Sequence, residues 1–252
     1  MEKSRTKVTL LITTLNEIEG LRQIAPRINP SWCEQILVID GNSTDGTADY
    51  AKSLGYEVVQ QKKKGLRSAC LEALAFVRTD SVLFFSPDGN SIPELIPQAA
   101  QKLREGNDLV IVSRYKEGAR SLDENFISHF GNRAITKLIN FLFLADYTDV
   151  MVIYRGFRKG VIGELGLDRR NPFLEWAERS LNTIVGLELL LSIRCASAGF
   201  KVAEIPGDEP VRIGGVTKMK HLRSALIYGV VIIYEYFRYL AKSMNRHREN
   251  IK

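Results

Sequence analysis

Three polar segments in the first half of the chain carry side chains that could bind a phosphorylated ligand. These segments are Asn16-Glu17, Asp40 to Asp45 and Asp88 to Ser91. In the middle one, an Asp can accept a hydrogen bond from a nucleobase, and glycine permits a close approach of the backbone. The start of a helix directly after it favours phosphate or ribose oxygens. A turn whose residues only cap a helix has the same composition, so both interpretations stay open.

The third polar segment could also hold a metal. Asp88 and Asn90 offer hard oxygen ligands of the type that Mg²⁺ or Mn²⁺ uses when it bridges a diphosphate. They follow Pro87 in a Pro-Asp-Gly sequence, which is also typical of a turn without any chemistry. The cysteines and histidines show no metal-ligand spacing, so we expect neither a zinc site nor a disulfide framework, and a reducing compartment fits.

Each of these polar segments lies at the C-terminal end of a short apolar segment, and helical patterns separate the apolar segments from one another. Strands of about five residues that alternate with helices predict right-handed crossovers and a mainly parallel, Rossmann-like sheet with helices on both faces. Ligands of such sheets bind in the loops after the carboxyl ends of the strands. The predicted strands are 8–13, 35–39, 56–60, 81–85 and 108–113, and the predicted helices are 18–28, 44–54, 66–77 and 93–105.

The second half of the chain is less regular. Its predicted elements are helices over 126–145 and 185–198, a strand-like run within 149–157, a strand over 201–205, a basic glycine-rich loop over 210–218 and an apolar segment over 222–240. The 252 residues suffice for one α/β domain with a large core. We therefore predict a single domain over residues 1–220, followed by an apolar and basic helical segment over 221–252.

Several segments together resemble glycosyltransferase family 2, which has the GT-A fold, and within it the polyprenyl-phosphate sugar synthases such as dolichyl-phosphate mannose synthase. Thr14 to Glu17 looks like the opening motif of the family, and Asp40 to Thr47 is similar to its Asp-Asp-Gly-Ser-x-Asp-Gly-Thr element. The resemblance covers about residues 7 to 220 and depends on the joint order of the motifs. Further matching segments are Ser113-Arg114-Tyr115, Asp149 with Arg155, Glu188, Gly199 to Pro206, and Arg212 followed by Gly215 to Lys218.

The sequence departs from the family pattern at three places. The Asp-x-Asp motif reads Ser86-Pro87-Asp88, so its first carboxylate is missing. Either the metal affinity is lower or the diphosphate supplies more of the coordination. Gly41 stands where the family has a second Asp, and Met151-Val152-Ile153 replaces the Thr-Ser-Gly before the aromatic residue and Arg. These differences leave the sugar and the acceptor open, but not the fold.

The resemblance implies an inverting glycosyltransferase that uses a UDP- or GDP-linked sugar, Mg²⁺ or Mn²⁺, and a polyprenyl phosphate as the acceptor. Direct displacement at the anomeric carbon is expected, since no nucleophile of the enzyme is apparent. The implied nucleotide-sugar-binding residues are Thr14, Asn16, Glu17, Asp40, Asn42, Asp45, Gly65, Arg67, Asp88, Arg212 and Lys218. The implied catalytic residues are Arg114, Arg133, Asp149, Arg155 and Glu188, and the implied metal ligands are Asp88 and Asn90.

The choice of acceptor determines whether the enzyme needs a general base. A phosphate oxygen is already anionic near neutral pH, since its second pKa is about 6, and it needs cations such as Arg114 and Arg133 to hold it. A saccharide hydroxyl needs a positioned base, for which Asp149 or Glu188 is the candidate. The Gln-x-x-Arg-Trp motif of processive polysaccharide enzymes does not occur. Because Asp-x-Asp is broken, a non-catalytic nucleotide-sugar-binding protein is a third alternative.

The formal net charge of +6 reflects basic residues that cluster at 62–67 and in the C-terminal part. Such clusters attract phosphate groups, although we expect no nucleic acid partner. The polar stretch Met1 to Lys7 has no signal-peptide core, so a cytoplasmic location is predicted. Leu222 to Leu240 approaches the roughly 20 apolar residues of a membrane span but contains three charged residues. This pattern favours a helix at the inner membrane surface, with a core helix or an oligomer contact as alternatives.

Overall fold

The computed structural model describes residues 6–214 and 221–249 of the chain. The strands are β1 (Val8–Thr14), β2 (Gln35–Asp40), β3 (Glu57–Gln60), β4 (Ser81–Phe85), β5 (Leu109–Ser113), β6 (Arg155–Arg158) and β7 (Val202–Pro206). Within the described residues they form one seven-stranded sheet in the order β3-β2-β1-β4-β6-β5-β7. All neighbouring strands are parallel except β6, which runs antiparallel to β4 and β5. The predicted α/β fold with a mainly parallel sheet is confirmed.

The helices lie between these strands and at the C-terminal end of the described chain. They are α1 (Ile18–Ile24), α2 (Thr47–Ser53), α3 (Leu66–Ala73), α4 (Ile96–Arg104), α5 (Phe126–Phe143), α6 (Val161–Glu164), α7 (Pro172–Leu181), α8 (Leu187–Ala198) and α9 (His221–Glu249). Short 3₁₀ turns occupy Ala25–Arg27, Pro30–Trp32 and Pro93–Leu95. The sequence analysis did not predict α6 and α7.

Prolines explain why two predicted helices are shorter in the structure. Pro26 has no backbone N–H to continue an α-helix, so α1 ends at Ile24 and a 3₁₀ turn follows. Pro97 lies in the first turn of α4, which is the position where a helix tolerates proline. The helix predicted over 93–105 therefore begins as a 3₁₀ turn and becomes α-helical only at Ile96.

The core lies on both faces of the sheet. All residues of β4 and of β5 are buried, as expected for strands that helices cover from both sides. Phe84 and Phe85 of β4 point to opposite faces and each meets an aromatic ring edge-on. Phe84 contacts Phe157 at a centroid distance of 5.1 Å, and Phe85 contacts Tyr154 at 5.5 Å.

Helix α9 packs against α5, α7 and α8. Its inner face includes buried Ile227, Val231 and Ile232. Glu235 on the same face pairs with Arg194 of α8, with 2.5 Å between Oε1 and Nη2. Among the described residues, none of the helices has both the length and the apolar character that crossing a bilayer requires. The domain boundary at residue 220 stays a prediction, because residues 215–220 are outside the described part.

Candidate active site

The sheet order brings the three polar segments together. Strand β1 lies between β2 and β4, all three are parallel, and Thr14 is directly opposite Asp40. Because the carboxyl ends of parallel strands meet at one edge, the loops after these strands are neighbours there. The sequence analysis predicted this edge as the place of the site.

Asp40 holds the loop after β2 in shape. Its carboxylate is completely buried and accepts hydrogen bonds from Thr14 Oγ1 at 2.9 Å, from Ser43 N at 2.8 Å and from Ser43 Oγ at 2.6 Å. The predicted contact of Asp40 with a nucleobase would have to replace one of these bonds. In this arrangement Asp40 shapes the loop that would bind a nucleotide.

Asn16 and Glu17 join the loop after β1 to the loop after β2. Asn16 adopts a left-handed backbone with φ of 57°, and its side chain accepts a hydrogen bond from Thr44 N at 2.8 Å. Glu17 N donates to Thr47 Oγ1 at 3.0 Å. These cross-links use the polar residues that were expected to cap α2, so α2 begins only at Thr47.

Asp45 and Asn42 extend the same network. Asp45 accepts from the backbone of Ile18 at 3.1 Å and of Thr47 at 3.0 Å. Burial raises the pKa of the Asp45 carboxyl, but the hydrogen bonds from Thr47 and Ile18 outweigh it and hold this pKa below its ordinary value. Asn42 donates to Gln61 O at 2.9 Å. Hydrogen bonds thus connect the predicted nucleotide-binding loops into one rim.

A cavity of about 310 Å³ opens beside this rim. Its wall consists of backbone and side chains of α1 and the loop before it, together with one residue of the loop after β2 and two of the loop after β7. The lining residues are Asn16, Glu17, Ile18, Glu19, Gly20, Asp45, Ile213 and Gly214.

Gly65 and Arg67 lie away from this cavity. Arg67 pairs with Glu178 of α7, with 2.7 Å between Nη1 and Oε1, and donates to Val185 O. Arg67 lines a separate cleft between α3 and the segment before α7. Gly65, with φ of 104°, precedes α3. Gln61 links Gly65 to the loop after β2, because its side chain donates to Gly65 O at 2.8 Å and its backbone N–H donates to Asp40 O at 2.8 Å. Arg67, in contrast, faces α7 and is not brought together with Asp40 or Asp88.

A second cavity, also of about 310 Å³, lies over the ends of β4 and β5. Five predicted site residues line this cavity. Four of them follow strands or begin a helix, namely Asp88, Asn90, Arg114 and Glu188, and the fifth is Arg212. Its apolar wall is formed by residues 151–154, which include the replaced Thr-Ser-Gly positions, and by Tyr228 of α9. Acidic residues that the sequence analysis did not single out also line it. These are Asp123, Glu124, Asp208 and Glu209.

Arg114 and Asp149 form a buried bidentate pair. Arg114 Nε donates to Asp149 Oδ2 at 2.7 Å, and Nη2 donates to Oδ1 at 3.0 Å. The backbone N–H groups of Met151 and Val152 also donate to Oδ1. Asp149 is fully buried, so it orients Arg114 and the following turn. A general base needs an oxygen that can reach the acceptor, and Glu188 meets that condition better.

All three guanidinium nitrogens of Arg155 donate hydrogen bonds inside the protein. It donates to the carbonyl oxygens of Val150, Val152 and Glu188 and to Ser192 Oγ, at distances between 2.7 and 3.0 Å. Burial lowers the pKa of this guanidinium, although Glu188 and Asp149 act in the opposite direction. Arg155 therefore clamps residues 150–152 to α8 and does not line the cavity in this arrangement.

Glu188 lines the second cavity from the first turn of α8. A Cβ atom at Gly186 would collide with the Glu188 carboxylate in its present position, so a larger residue there would displace this side chain. Burial raises the pKa of Glu188, and the helix N–H of Glu188 and the cations Arg155 and Arg67 offset this only in part. A partly buried carboxylate with a raised pKa at a cavity wall has the properties of a general base.

Arg133 lies outside the cavity lining. It is exposed on α5, and its guanidinium carbon lies 5.6 Å from the ring centroid of Tyr115. Arg114 lies 5.3 Å from the same ring. Tyr115 in turn donates to Glu124 at 2.6 Å. The predicted pair of arginines thus meets at one tyrosine, with Arg114 inside the cavity and Arg133 outside.

The predicted metal ligands Asp88 and Asn90 are accompanied by Asp123. Asn90 Nδ2 donates to Asp123 Oδ2 at 2.9 Å, and Arg212 Nη2 lies 3.2 Å from Asp88 Oδ2. Asn90 Oδ1 is buried without a hydrogen-bond partner. Over 6–214 and 221–249, no three His, Cys, Asp or Glu residues could hold a metal by themselves. The oxygens fit Mg²⁺ or Mn²⁺ provided that a diphosphate completes the coordination.

The segment before the undescribed residues separates the two cavities. Arg212 lines one and Ile213 lines the other. Ile213 N donates to Asp88 O at 2.6 Å. Gly89, with φ of 90°, permits this contact, because a Cβ there would lie 2.7 Å from Ile213 Cγ1. Lys218 is outside the described residues, so the predicted role of the loop from Arg212 to Lys218 stays a prediction.

The chain matches the model of a protein family described as "Glycosyl transferase family 2" over residues 9–166. A relative, glycosyltransferase AglJ of Haloferax volcanii, is 28% identical over 231 residues, which cover 86% of this chain and 72% of that protein. The dolichol-phosphate mannosyltransferase of Pyrococcus furiosus is 27% identical over 252 residues, 94% of this chain. The match spans only 64% of that second relative.

The fold is similar to that of glucosyl-3-phosphoglycerate synthase from Mycobacterium tuberculosis. A crystal structure of that protein in complex with Mn²⁺, UDP and phosphoglyceric acid superposes with a TM-score of 0.66 at 20% identity. The superposition covers 92% of this chain and 78% of the synthase chain. A structure of the same protein with Mg²⁺ and UDP superposes with a TM-score of 0.65 at 20% identity, over 92% of this chain and 79% of that one.

Proposed function

We propose, given that this chain belongs to glycosyl transferase family 2, that it transfers a sugar from a nucleoside diphosphate to a polyprenyl phosphate with inversion. The family match and the similar glycosyltransferases make it a glycosyltransferase enzyme. In the proposed step, an acceptor phosphate oxygen attacks the anomeric carbon while the bond to the diphosphate breaks. The nucleoside diphosphate leaves with the electron pair of that bond.

The surroundings of the second cavity support a lipid-linked phosphate as the acceptor. The cavity combines Arg114 and Arg212 with an apolar wall, and its lining includes residues of α5 and α9. Both of these helices also expose apolar side chains. An acceptor phosphate in the cavity would be held by cations, while its hydrocarbon chain could run along the exposed helix faces. The relative named a dolichol-phosphate mannosyltransferase supports the same acceptor class.

Helix α9 exposes apolar residues along a single line. These residues recur at intervals of three and four, so they share one helix face, and that face is opposite the packed one. They are Leu226, Val230, Ile233, Phe237, Leu240 and Met244, with exposed fractions from 36% to 65%. Soluble monomers rarely expose a continuous apolar surface of this kind, and large exposed apolar areas mark contacts with proteins or membranes.

Helix α5 adds a second apolar face and positive charge. Phe126, Phe130 and Phe141 are each at least two-thirds exposed. Residues 126–144 contain no Asp or Glu, whereas Arg133 and Lys137 are exposed. Because each cation near an anionic bilayer contributes about 1 kcal/mol, this face suits an anionic membrane surface better than a second copy with the same charge.

The donor side of the proposal depends on the first cavity and on Asp88. The solved complexes of the mycobacterial synthase contain UDP with Mn²⁺ or Mg²⁺, which supports the same classes of ligand here. Asp88 and Asn90 would hold the metal, which neutralises charge on the departing diphosphate. Arg212, between the two cavities, would contact the diphosphate, and Arg114 would orient the acceptor phosphate.

The experiment uses vesicles that contain an anionic lipid and a polyprenyl phosphate, with UDP- and GDP-linked radiolabelled sugars and Mn²⁺. We expect label in a product that organic solvent extracts. The double variant Ile233→Glu/Phe237→Glu should lose vesicle binding and most of this transfer but keep its folding. Phe76→Glu is the matched control, since Phe76 is 42% exposed. It lies before the amino end of β4, whereas the second cavity lies over the carboxyl end of that strand. Label only in a water-soluble product, without vesicle binding, would contradict the lipid acceptor.

The position of Glu188 in the cavity wall favours a second candidate, transfer to a hydroxyl of a soluble saccharide. For a hydroxyl acceptor Glu188 would act as the general base, a role that contributes about 10²- to 10⁴-fold. Glu188→Gln separates the candidates, because it should abolish transfer to a hydroxyl and leave transfer to a phosphate within a few-fold of the unsubstituted enzyme. The two acceptor classes are to be compared at the same donor concentration.

A further inference from the structure

Arg212 occupies a position between two carboxylates at the end of β4. Its Nη2 lies 3.2 Å from Asp88 Oδ2, and its Nε lies 3.8 Å from Asp123 Oδ2. The backbone N–H of Arg212 also donates to Asp123 Oδ1 at 3.4 Å. Asp88 is 5% exposed, so Arg212 neutralises an otherwise buried charge.

This arrangement leaves hydrogen-bonding capacity unused. Three buried side-chain atoms in the described part of the protein have no hydrogen-bond partner, and two of them, Asn90 Oδ1 and Arg212 Nε, belong to this cluster. Buried polar atoms are rarely left without partners, and such a pair calls for a missing ion or water. Asn90 Oδ1 is an acceptor, so a hydrogen-bond donor or a cation would satisfy it, and the carboxylates of Asp88 and Asp123 in the same cluster favour a cation.

We propose that Asp123 takes the place of the carboxylate that the family motif lacks at Ser86. In the same proposal, Arg212 neutralises Asp88 and Asp123 when no metal is bound, and it releases both carboxylates when the divalent metal binds. The inference rests on the proposed function, because it uses the proposed metal ligands Asp88 and Asn90. Asp123 comes from the loop before α5 instead of the loop after β4, but Asn90 Nδ2 holds its carboxylate at 2.9 Å. The set Asp88, Asn90 and Asp123 is rich in oxygen, as Mg²⁺ and Mn²⁺ require.

The exchange has a consequence for Arg212. Two cations cannot share the same carboxylates without repulsion, so Arg212 must leave when the metal is held there. Once released, it carries its full charge at the boundary between the two cavities, where a diphosphate would need it. Metal binding and the availability of Arg212 are thereby coupled through Asp88 and Asp123.

The first test measures Mn²⁺ binding with UDP present, from the loss of the free-ion signal in electron paramagnetic resonance. Asp123→Asn should weaken Mn²⁺ binding by about tenfold or more, the range that even outer-shell partners of metal ligands reach. Asp208→Asn is the matched control, because Asp208 lines the same cavity and its loss changes the charge equally. Equal affinities for Asp123→Asn and Asp208→Asn would overturn the role of Asp123.

The second test removes the positive charge of Arg212. Arg212→Gln should bind Mn²⁺ more tightly than the unsubstituted protein when no nucleotide is present, since the metal no longer competes with a guanidinium. Unchanged or weaker binding would overturn the exchange. Thermal unfolding of the variant accompanies the measurement, and Arg212→Lys, which retains a cation, should restore the weaker metal binding.

The two failures are distinguishable. If Asp88→Asn abolishes Mn²⁺ binding while Asp123→Asn does not change it, the metal site stands and Asp123 has no part in it. If Asp88→Asn also has no effect on Mn²⁺ binding, the metal ligands of the proposed function are wrong. Sugar transfer itself is not needed for either result.

Discussion

Replacing Asp149 with Asn tests whether this carboxylate organises the cavity or exchanges protons. The substitution keeps the shape of the side chain and removes its charge. Asp149 is fully buried, and its oxygens accept from the Arg114 guanidinium and from backbone N–H groups. In Asp149→Asn, Arg114 keeps only weaker acidic neighbours, Glu209 at 3.3 Å and Glu124 at 3.8 Å.

The structure sets the expected magnitude. Removing one member of a buried ion pair costs about 3–5 kcal/mol, because the partner charge is left uncompensated. Since two acids remain near Arg114, we expect the lower end, about 3 kcal/mol of unfolding free energy. For a domain of this size, 1 kcal/mol corresponds to about 2–4 °C, so the Tm should fall by about 6–12 °C.

The assay is urea and thermal unfolding of the purified protein. Asp49→Asn is the matched control, because Asp49 is exposed and contacts only Lys52 at 3.2 Å, and it should stay within about 0.5 kcal/mol. In a double-mutant cycle, adding Arg114→Met should restore part of the loss. The reasoning is refuted if Asp149→Asn is as stable as the control yet inactive toward a hydroxyl acceptor, since that is the behaviour of a base.

Three further predictions concern the ligands and the buried acid. Burial raises the pKa of Glu188, so the folded protein loses stability as the pH rises from the unfolded-state pKa of about 4.3 towards that raised pKa. Glu188→Gln should therefore gain stability relative to the unsubstituted protein as the pH rises above about 4, and a difference that urea unfolding finds independent of pH would contradict this. Chelation with EDTA should suppress donor turnover, and Asp88→Asn should lose most of the response to added Mn²⁺; full turnover in chelator would exclude metal use. A true donor nucleotide at about 100 Kd should add about 2.7 kcal/mol to unfolding free energy, measured by thermal shift for UDP and GDP with Mn²⁺.

Much of the fold could be predicted because buried parallel strands are short apolar runs with polar ends. The strand 81–85 was predicted with its observed bounds, and the ends of β1, β2 and β5 differ by one residue. The antiparallel direction of β6 could not be read from the sequence, because Arg155–Arg158 shows no pattern that depends on direction. Helix α7 was missed because Pro172 begins it and a short polar loop precedes it.

The site was predictable in place but less so in detail. Which loops meet follows from strand order, whereas what each side chain does depends on partners that are distant along the chain. Asp149 and Glu188 are equally acidic in the sequence, yet the first has both oxygens occupied and the second lines the cavity. Asp123 lies in no motif, and its contacts with Asn90, 33 residues earlier in the chain, and with Arg212 identify it.

The pairing of Glu235 with Arg194 also affects the order in which the newly made chain folds. Arg194 leaves the ribosome 41 residues before Glu235, so a nascent chain that has completed α8 carries a guanidinium without its counter-charge. Burying such a charge is unfavourable, and the α8 face should stay hydrated until α9 docks. Because α9 also brings Tyr228 to the second cavity, the wall of this cavity is completed only after α9 has been translated. A prematurely terminated chain would therefore be both inactive and poorly folded, which favours its removal by cellular proteases.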